Sequence, residues 1–141
     1  MKPSSWQDLA STATLDIHTS RPSVSIIIPV YNEEESVETL QERLSEMLAE
    51  IKIDYEIIYV DDGSRDNSFQ LLEKLALKDS RIKLIKFRKN HGQTAAMSAA
   101  IDVAQAEIII PLDADLQNDP RDIPSLLDKM AEGYDVVSGW R

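Results

Sequence analysis

The sequence alternates between short apolar runs rich in β-branched residues and longer amphipathic segments, which constrains the fold more than any other feature. The segments between the runs place apolar side chains three or four residues apart, so a helix is predicted after each of the first four strands. Near-continuous apolar strands that alternate with helices indicate a parallel sheet covered on both faces. We therefore predict an α/β fold with strands at 24–28, 55–60, 82–87, 107–112 and 134–140.

Local signals place the predicted helices between these strands. Asn32 and Glu35 have the spacing of a helix cap and its capping-box partner, at the start of a helix within 32–51. A second helix is predicted after the segment "DDGS". Two more are predicted at 94–106, whose many alanines suggest close approach to the sheet, and at 122–133.

The length of the chain fits one folded domain preceded by a tail. A chain of 141 residues, 43% of them apolar, is enough for one compact core and too short for two. Residues 1–21 are rich in Ser and Thr, so we predict a flexible N-terminal tail and a domain over 22–141. The helical spacing of Trp6, Leu9 and Ala13 leaves open a short amphipathic helix within that tail.

Composition excludes several classes of protein. The chain has no cysteine, which excludes disulfides and thiolate metal sites and fits a cytoplasmic location. Its apolar runs are far shorter than the ~18 residues that a membrane-spanning helix needs. With 15 cations against 25 acids, the net charge of −10 repels phosphate backbones, so we predict no nucleic-acid partner.

Polar clusters follow the predicted strands, at the points where the strands end. They are "PVYNE", "DDGS", "RKNHGQ" and "DADLQND". Ligands of parallel α/β sheets bind beyond the carboxyl ends of the strands. The sequence therefore predicts a ligand site at this edge of the sheet.

The "DADLQ" segment predicts a divalent metal site. In an extended segment, residues two apart point the same way, so Asp113, Asp115 and Gln117 present three oxygens to one side. Oxygen ligands without His or Cys suit Mg²⁺ or Mn²⁺. A solvated acidic loop that caps the next helix is the alternative, and it is the better interpretation for Asp119 and Asp122.

Two other acidic motifs fit poorly. An EF-hand loop that began at Asp113 would need Gly where Asn118 stands and Glu where Pro124 stands. A phosphatase of the haloacid dehalogenase type normally has a hydroxyl residue at the position of Gln117.

A second acidic pair, Asp61 and Asp62, follows the second strand at the same edge. A carboxylate there can accept hydrogen bonds from ribose hydroxyls or a base N–H, and Gly63 permits a sharp turn toward a ligand. A phosphoacceptor receiver domain also has such aspartates, but it needs a lysine after the last strand, where only Arg141 is found. The glycine-rich dinucleotide and P-loop motifs are absent.

Five segments in chain order closely resemble the motifs of the family 2 glycosyltransferases: "SIIIPVYNEEESV", "YEIIYVDDGSRDNS", "KNHGQTAA", "IIIPLDADLQNDP" and "DVVSGWR". Within that family, the chain is most similar to the polyprenyl- or dolichyl-phosphate sugar transferases. The resemblance extends from Val24 to Arg141. It implies a Rossmann-like GT-A fold, a mostly parallel sheet flanked by helices that binds a nucleotide sugar.

The resemblance also implies roles for single residues. Asp113, Asp115 and Gln117 would hold Mg²⁺ or Mn²⁺ against the donor diphosphate. Asp113, Asp115 and Arg141 would be the catalytic group, with Arg141 on a phosphate. The base and ribose of the nucleotide would be bound by Pro29, Tyr31, Glu33, Asp61, Asp62 and Asp113.

The implied reaction is inverting transfer of a sugar from a UDP- or GDP-linked donor to an acceptor, foremost polyprenyl phosphate. A lipid phosphate oxygen is already anionic and needs no general base, whereas a hydroxyl acceptor would need one, for which Asp113 is a candidate. The alternative is a stand-alone nucleotide-binding or signalling module without transfer activity.

Members of this family continue past the position of "SGWR" with an acceptor loop and further elements, so the chain is expected to be truncated. We expect the donor-binding part of an enzyme that works at the cytoplasmic face of a membrane. Donor binding without transfer to lipid is expected of this part alone. An exposed apolar last strand would favour homo-oligomers.

Overall fold

A computed structural model describes residues 21–139 and contains one parallel sheet. The order of its four strands is β3-β2-β1-β4, and each neighbouring pair is parallel. The predicted parallel sheet is confirmed. The predicted N-terminal tail lies outside the described residues except for Arg21. The strands are β1 (Val24–Val30), β2 (Tyr55–Asp61), β3 (Ile82–Lys86) and β4 (Ile108–Pro111).

One helix follows each strand, as the periodicity predicts. A short 3₁₀ turn at Pro120–Asp122 precedes the last of them. No helix among residues 21–139 has the length and apolar character to span a bilayer. The helices are α1 (Val37–Ile51), α2 (Ser68–Lys78), α3 (Gln93–Val103) and α4 (Ile123–Ala131).

The side chains of alternate strand residues pack into two separate hydrophobic cores. Ile26 and Ile28 of β1 belong to the larger core, which also contains buried residues of α1, α2 and α4. Ile27 faces the other way and packs with Ala96 and Ala100 of α3, both 0% exposed. The small alanine side chains allow α3 to approach the sheet closely. Helices therefore cover both faces, which explains why the strands read as continuous apolar runs.

The predicted fifth strand is wrong over residues 134–139, which form no strand. Val136 is 82% exposed and Tyr134 is 54% exposed, so the apolar side chains of this segment are largely uncovered. An apolar β-branched run becomes a strand only where a neighbouring strand pairs with it and a helix covers it. Within the described residues, the free sheet edges are therefore those of β3 and β4.

The predicted cap at Asn32 is also wrong. Asn32 has a left-handed backbone with φ of 52°, and α1 begins five residues later at Val37. Its side-chain Oδ1 accepts a hydrogen bond from the backbone N–H of Arg65 at 2.8 Å, and its own N–H donates to Ser64 Oγ at 2.9 Å. Asn32 thus ties the β1–α1 loop to the β2–α2 loop, a long-range contact that local spacing does not reveal.

A buried polar network joins the strands at the amino edge of the sheet, opposite the predicted site. Glu56 is 3% exposed and accepts hydrogen bonds from Ser25 Oγ at 2.6 Å, Lys83 Nζ at 2.5 Å and the backbone N–H of Gln105 at 2.7 Å. Burial raises the pKa of Glu56, but these three donors outweigh it and the net pKa is lowered. The sequence analysis did not predict this network.

Candidate nucleotide-binding site

A cavity of about 400 Å³ opens at the carboxyl ends of β1 and β4. It lies where the sheet argument predicts the ligand, and its lining is rich in polar side chains. A larger groove of about 830 Å³ runs along β4 and α4, where the lining is largely aliphatic. The smaller cavity is lined by Pro29, Val30, Tyr31, Glu33, Asp62, Asn90, Gly92, Gln93, Asp113, Ala114 and Asp115.

Asp113 and Asp115 lie together in this cavity just after β4. Ala114 between them is only 5% exposed, as expected, but residues 114–115 form a turn and not an extended segment. Asp113 accepts hydrogen bonds from Gln93 Nε2 at 3.3 Å and from Asn118 Nδ2 at 3.4 Å. Both of these donors are neutral amides, so neither places a positive charge beside Asp113.

Gln117 does not join the two aspartates. Leu116, at the end of this turn, has φ of 65°, and its side chain packs against the larger core. The Gln117 side chain therefore lies in the larger groove beside β4 and α4, while its backbone N–H donates to Asp115 Oδ1 at 3.2 Å. The expected one-sided arrangement is wrong at Gln117, because positive φ at a leucine is rare and leaves no signal in the sequence.

Two carboxylates that line the same cavity fit Mg²⁺ or Mn²⁺ held jointly by protein and substrate. Mg²⁺ is commonly bound through one or two carboxylates plus substrate phosphates, not by a cage of protein ligands. No group of three or more His, Cys, Asp or Glu side chains forms a metal site in the part of the chain that the structure describes. The pair Asp113 and Asp115 therefore fits an ion whose remaining ligands are phosphate oxygens and water.

Asp61 is a buried carboxylate without a partner. It ends β2, pairs in register with Val30 of β1, and is 1% exposed. Neither Oδ1 nor Oδ2 has a hydrogen-bond partner among the described residues. Burying such a group costs free energy, so nearly all buried polar atoms in folded proteins find a partner. Asp61 therefore lacks, among the described residues, the partner that a buried carboxylate normally has, and its side chain does not line the cavity.

The neighbouring Asp62 is fully engaged by the protein. Its Oδ1 accepts the backbone N–H of His91 at 2.7 Å, and its Oδ2 accepts the backbone N–H of Gly92 at 3.0 Å and Asn90 Nδ2 at 3.1 Å. These contacts leave little for the predicted nucleotide contact, although Asp62 lines the cavity. The His91 ring packs edge-on against Phe87, with ring centroids 5.4 Å apart.

The β1–α1 loop brings the other predicted nucleotide-binding residues to the cavity. Tyr31 is 43% exposed, which leaves its ring free to stack on a base. The backbone N–H of Glu33 donates to Ser68 Oγ at 2.8 Å and anchors this loop on α2. Pro29 lines the cavity from the end of β1. Arg141 lies outside the described residues, so its phosphate contact stays a prediction.

The amide side chains that line the cavity or contact Asp113 were not predicted. Asn90 and Gln93 lie in "KNHGQ" after β3, and Asn118 follows the "DADLQ" segment. Both segments follow strands at the carboxyl edge of the sheet, where a ligand site was predicted. Uncharged amides give no signal of their own in the sequence, because their role depends on which carboxylate lies beside them in the fold.

A parallel sheet flanked by helices, with a polar cavity at the carboxyl ends of its strands, places the chain in the Rossmann-like class of α/β domains. The chain belongs to glycosyl transferase family 2, whose sequence model matches residues 25–141.

Curated relatives include the undecaprenyl-phosphate 4-deoxy-4-formamido-L-arabinose transferases of two bacteria. The Pseudomonas fluorescens protein is 49% identical over 116 residues, which are 82% of this chain and 34% of the relative. The Proteus mirabilis protein is 47% identical over 115 residues, 81% of this chain and 35% of the relative. The chain thus spans about a third of the length of these relatives.

Solved structures of glycosyltransferases share the fold. The Pyrobaculum calidifontis mannosyltransferase PcManGT, in complex with GDP-Man and Mn²⁺, has a TM-score of 0.64 and 25% identity over 79% of this chain and 32% of its own. S. aureus TarS in complex with UDP-GlcNAc has a TM-score of 0.56 and 26% identity over 66% of this chain and 26% of its own. The predicted Rossmann-like GT-A fold is confirmed.

Proposed function

We propose that this chain binds a nucleotide diphosphate sugar together with Mg²⁺ or Mn²⁺, as the donor site of an inverting sugar transferase that acts on polyprenyl phosphate at a membrane surface. The observation that carries the proposal is the buried, unpartnered carboxylate of Asp61 at the ligand edge of the sheet. The names of the relatives support the acceptor, and the GDP-Man and Mn²⁺ complex of PcManGT supports the donor and metal.

The nucleoside is held at the ends of β1 and β2. Asp61 accepts a hydrogen bond from a base N–H or a ribose hydroxyl, which gives its carboxylate the partner that it lacks among the described residues. Tyr31 stacks on the base, which Pro29 borders from the end of β1 and Glu33 from the β1–α1 loop. Nucleoside affinity in this scheme does not depend on metal.

The diphosphate lies toward β4, where Asp113 and Asp115 hold the divalent ion. When bound, this ion offsets the negative charge that grows on the leaving diphosphate, which is worth several kcal/mol in such sites. Asp113 is kept in place by the amides of Gln93 and Asn118. Arg141 remains the proposed contact to a phosphate group.

In the proposed transfer, a phosphate oxygen of the lipid attacks the anomeric carbon of the sugar, and the bond from that carbon to the diphosphate oxygen breaks. Attack from the face opposite the leaving group inverts the anomeric centre. The lipid phosphate is already anionic, so no side chain has to remove a proton. Asp113 is then free to serve the metal and ribose.

Calorimetric titration of the chain with UDP, GDP and their sugar conjugates, with and without Mn²⁺, tests the donor site. Asp115→Ala should abolish the gain in affinity that Mn²⁺ confers, a loss of at least about tenfold or ~1.4 kcal/mol. Asp122→Ala is the matched control, because Asp122 lies on the 3₁₀ turn and does not line the cavity. Equal effects of the two substitutions would contradict the assignment.

A further inference from the structure

The segment 90–92 is held against the end of β2 by one carboxylate. Asp62, 3% exposed, accepts the backbone N–H groups of His91 and Gly92 and the side-chain amide of Asn90, with all three donors within 3.1 Å. Hydrogen bonds to an ionised acceptor are the stronger kind. Asp62 therefore fixes the backbone of the segment and not just one side chain.

A close backbone approach adds to this restraint. A Cβ at Gly63 would lie 2.4 Å from the carbonyl carbon of Lys89 and 2.5 Å from the backbone nitrogen of Asn90. Only glycine fits there, so the turn after Asp62 is pressed directly against the start of the segment. The segment ends at Gly92, whose φ of 98° turns the chain into α3.

Gln93 is the first residue of α3 and comes directly after this fixed segment. Its Nε2 donates to Asp113 Oδ1 at 3.3 Å, across 20 positions of sequence. A neutral amide orients a carboxylate without cancelling its charge, whereas a lysine or arginine in its place would compete with a cation. Gln93 is thus suited to orient Asp113 toward a metal ion.

We infer that Asp62 and Gln93 are positioning residues, which hold Asp113 in the orientation that binds the divalent ion and the donor diphosphate. Asp62 acts on the 90–92 segment, and that segment sets where the Gln93 amide meets Asp113. The inference rests on the proposed function. Groups that orient a metal ligand from behind typically contribute about 10–100-fold to metal affinity.

The experiment measures the affinity of the 141-residue chain for UDP and GDP by calorimetry, with and without Mn²⁺. Gln93→Leu and Asp62→Asn should each lower the Mn²⁺-dependent gain by about tenfold, while metal-free affinity changes less than about twofold. Thr94→Val is the control, since Thr94 is an exposed neighbour of Gln93 in the first turn of α3. The double variant should lose little more than either single variant, because both act on Asp113.

The outcomes separate this inference from the proposed function. Wild-type chain without any Mn²⁺-dependent gain would overturn both. A normal gain in the wild type, with Gln93→Leu indistinguishable from Thr94→Val, would overturn the positioning role alone. Equal losses for Asp62→Asn with and without Mn²⁺ would show direct nucleotide contact by Asp62 and would also overturn it. If Asp62→Asn does not fold, the exposed Gln93→Leu variant decides the matter.

Discussion

At the scale of single residues, Asp61 and Asp62 show how one side-chain type serves two purposes. Both are buried at the end of β2, with 1% and 3% exposure. Asp62 has three hydrogen-bond donors from residues 90–92, whereas Asp61 has no partner among the described residues. Asp62 therefore stabilises the fold, and Asp61 costs stability that a ligand would recover.

Asp61→Asn should raise the free energy of unfolding by about 1–3 kcal/mol and yet weaken nucleotide binding without metal. The amide removes a buried charge but is a poorer acceptor for a base or ribose donor. Urea denaturation and metal-free calorimetry measure the two effects, with Asp62→Asn as the comparison that should lower stability instead. A loss of affinity seen only with Mn²⁺ would place Asp61 in the metal site.

After β4, the sequence correctly predicted that Asp113 and Asp115 face one site, but it wrongly placed Gln117 with them. Asp113 and Asp115 lie in the cavity with Ala114 buried between them, although residues 114–115 form a turn and not the extended segment that was predicted. The left-handed Leu116 then redirects Gln117 to the larger groove. Local periodicity carries no information about a single strained residue, because tertiary packing decides whether it is tolerated.

At the scale of elements, the loops at the carboxyl edge are fixed by one another. Asn32 ties the β1–α1 loop to Ser64 and Arg65, and the turn at Gly63 is pressed against Lys89 after β3. Loops that are held this way present ligand-binding groups at fixed positions. Glycine at position 63 is therefore required by space as well as by its φ of 72°.

Gly63→Ala should lower the free energy of unfolding by about 1–3 kcal/mol, because the new methyl group has no room beside the backbone of Lys89. Gly139→Ala is the matched control, since a Cβ there meets nothing within 4 Å. Thermal or urea unfolding of both variants gives the comparison. Similar stabilities for the two variants would show that the 63 and 89 backbones are farther apart than described.

The opposite edge of the sheet depends on Glu56, and this makes stability sensitive to acid. Hydrogen bonds lower the pKa of Glu56 from its ordinary value of 4.5, despite burial that raises it. The stability it contributes is thus fully present above pH 4.5 and is lost as pH falls through the lowered folded-state pKa. Lys83, Ser25 and the loop at Gln105 all depend on this one carboxylate.

Glu56→Gln should cost about 1–3 kcal/mol of stability at pH 7, and the difference from wild type should shrink as pH falls below 4.5. Glu73→Gln, on the exposed side of α2, should stay within about 0.5 kcal/mol of wild type throughout. Urea denaturation at a series of pH values measures both. A difference for Glu56→Gln that does not vary with pH would contradict the role of its charge.

At the scale of the whole molecule, the two edges of the sheet differ: one carries a structural hydrogen-bond network and the other carries the candidate site. The amino edge carries the satisfied network of Glu56. The carboxyl edge carries the acidic cavity and, buried at the end of β2, the carboxylate of Asp61, which has no partner among the described residues. Sequence periodicity predicted the four strands, the four helices and this edge, because each depends on local patterning. The failed fifth strand and the amide contacts of Asp113 depend on distant neighbours, which no local pattern encodes.

The central claim is that nucleotide diphosphate and divalent metal meet at this carboxyl edge. The direct measurement is a ¹⁵N NMR spectrum of the chain with UDP or GDP, titrated with paramagnetic Mn²⁺. The account predicts strong broadening at Gly92, Gln93, Asp113 and Asp115, and little at Glu56 and Gln105 at the opposite edge. Broadening centred on the 3₁₀ turn at Pro120–Asp122, or spread equally over both edges, would contradict it.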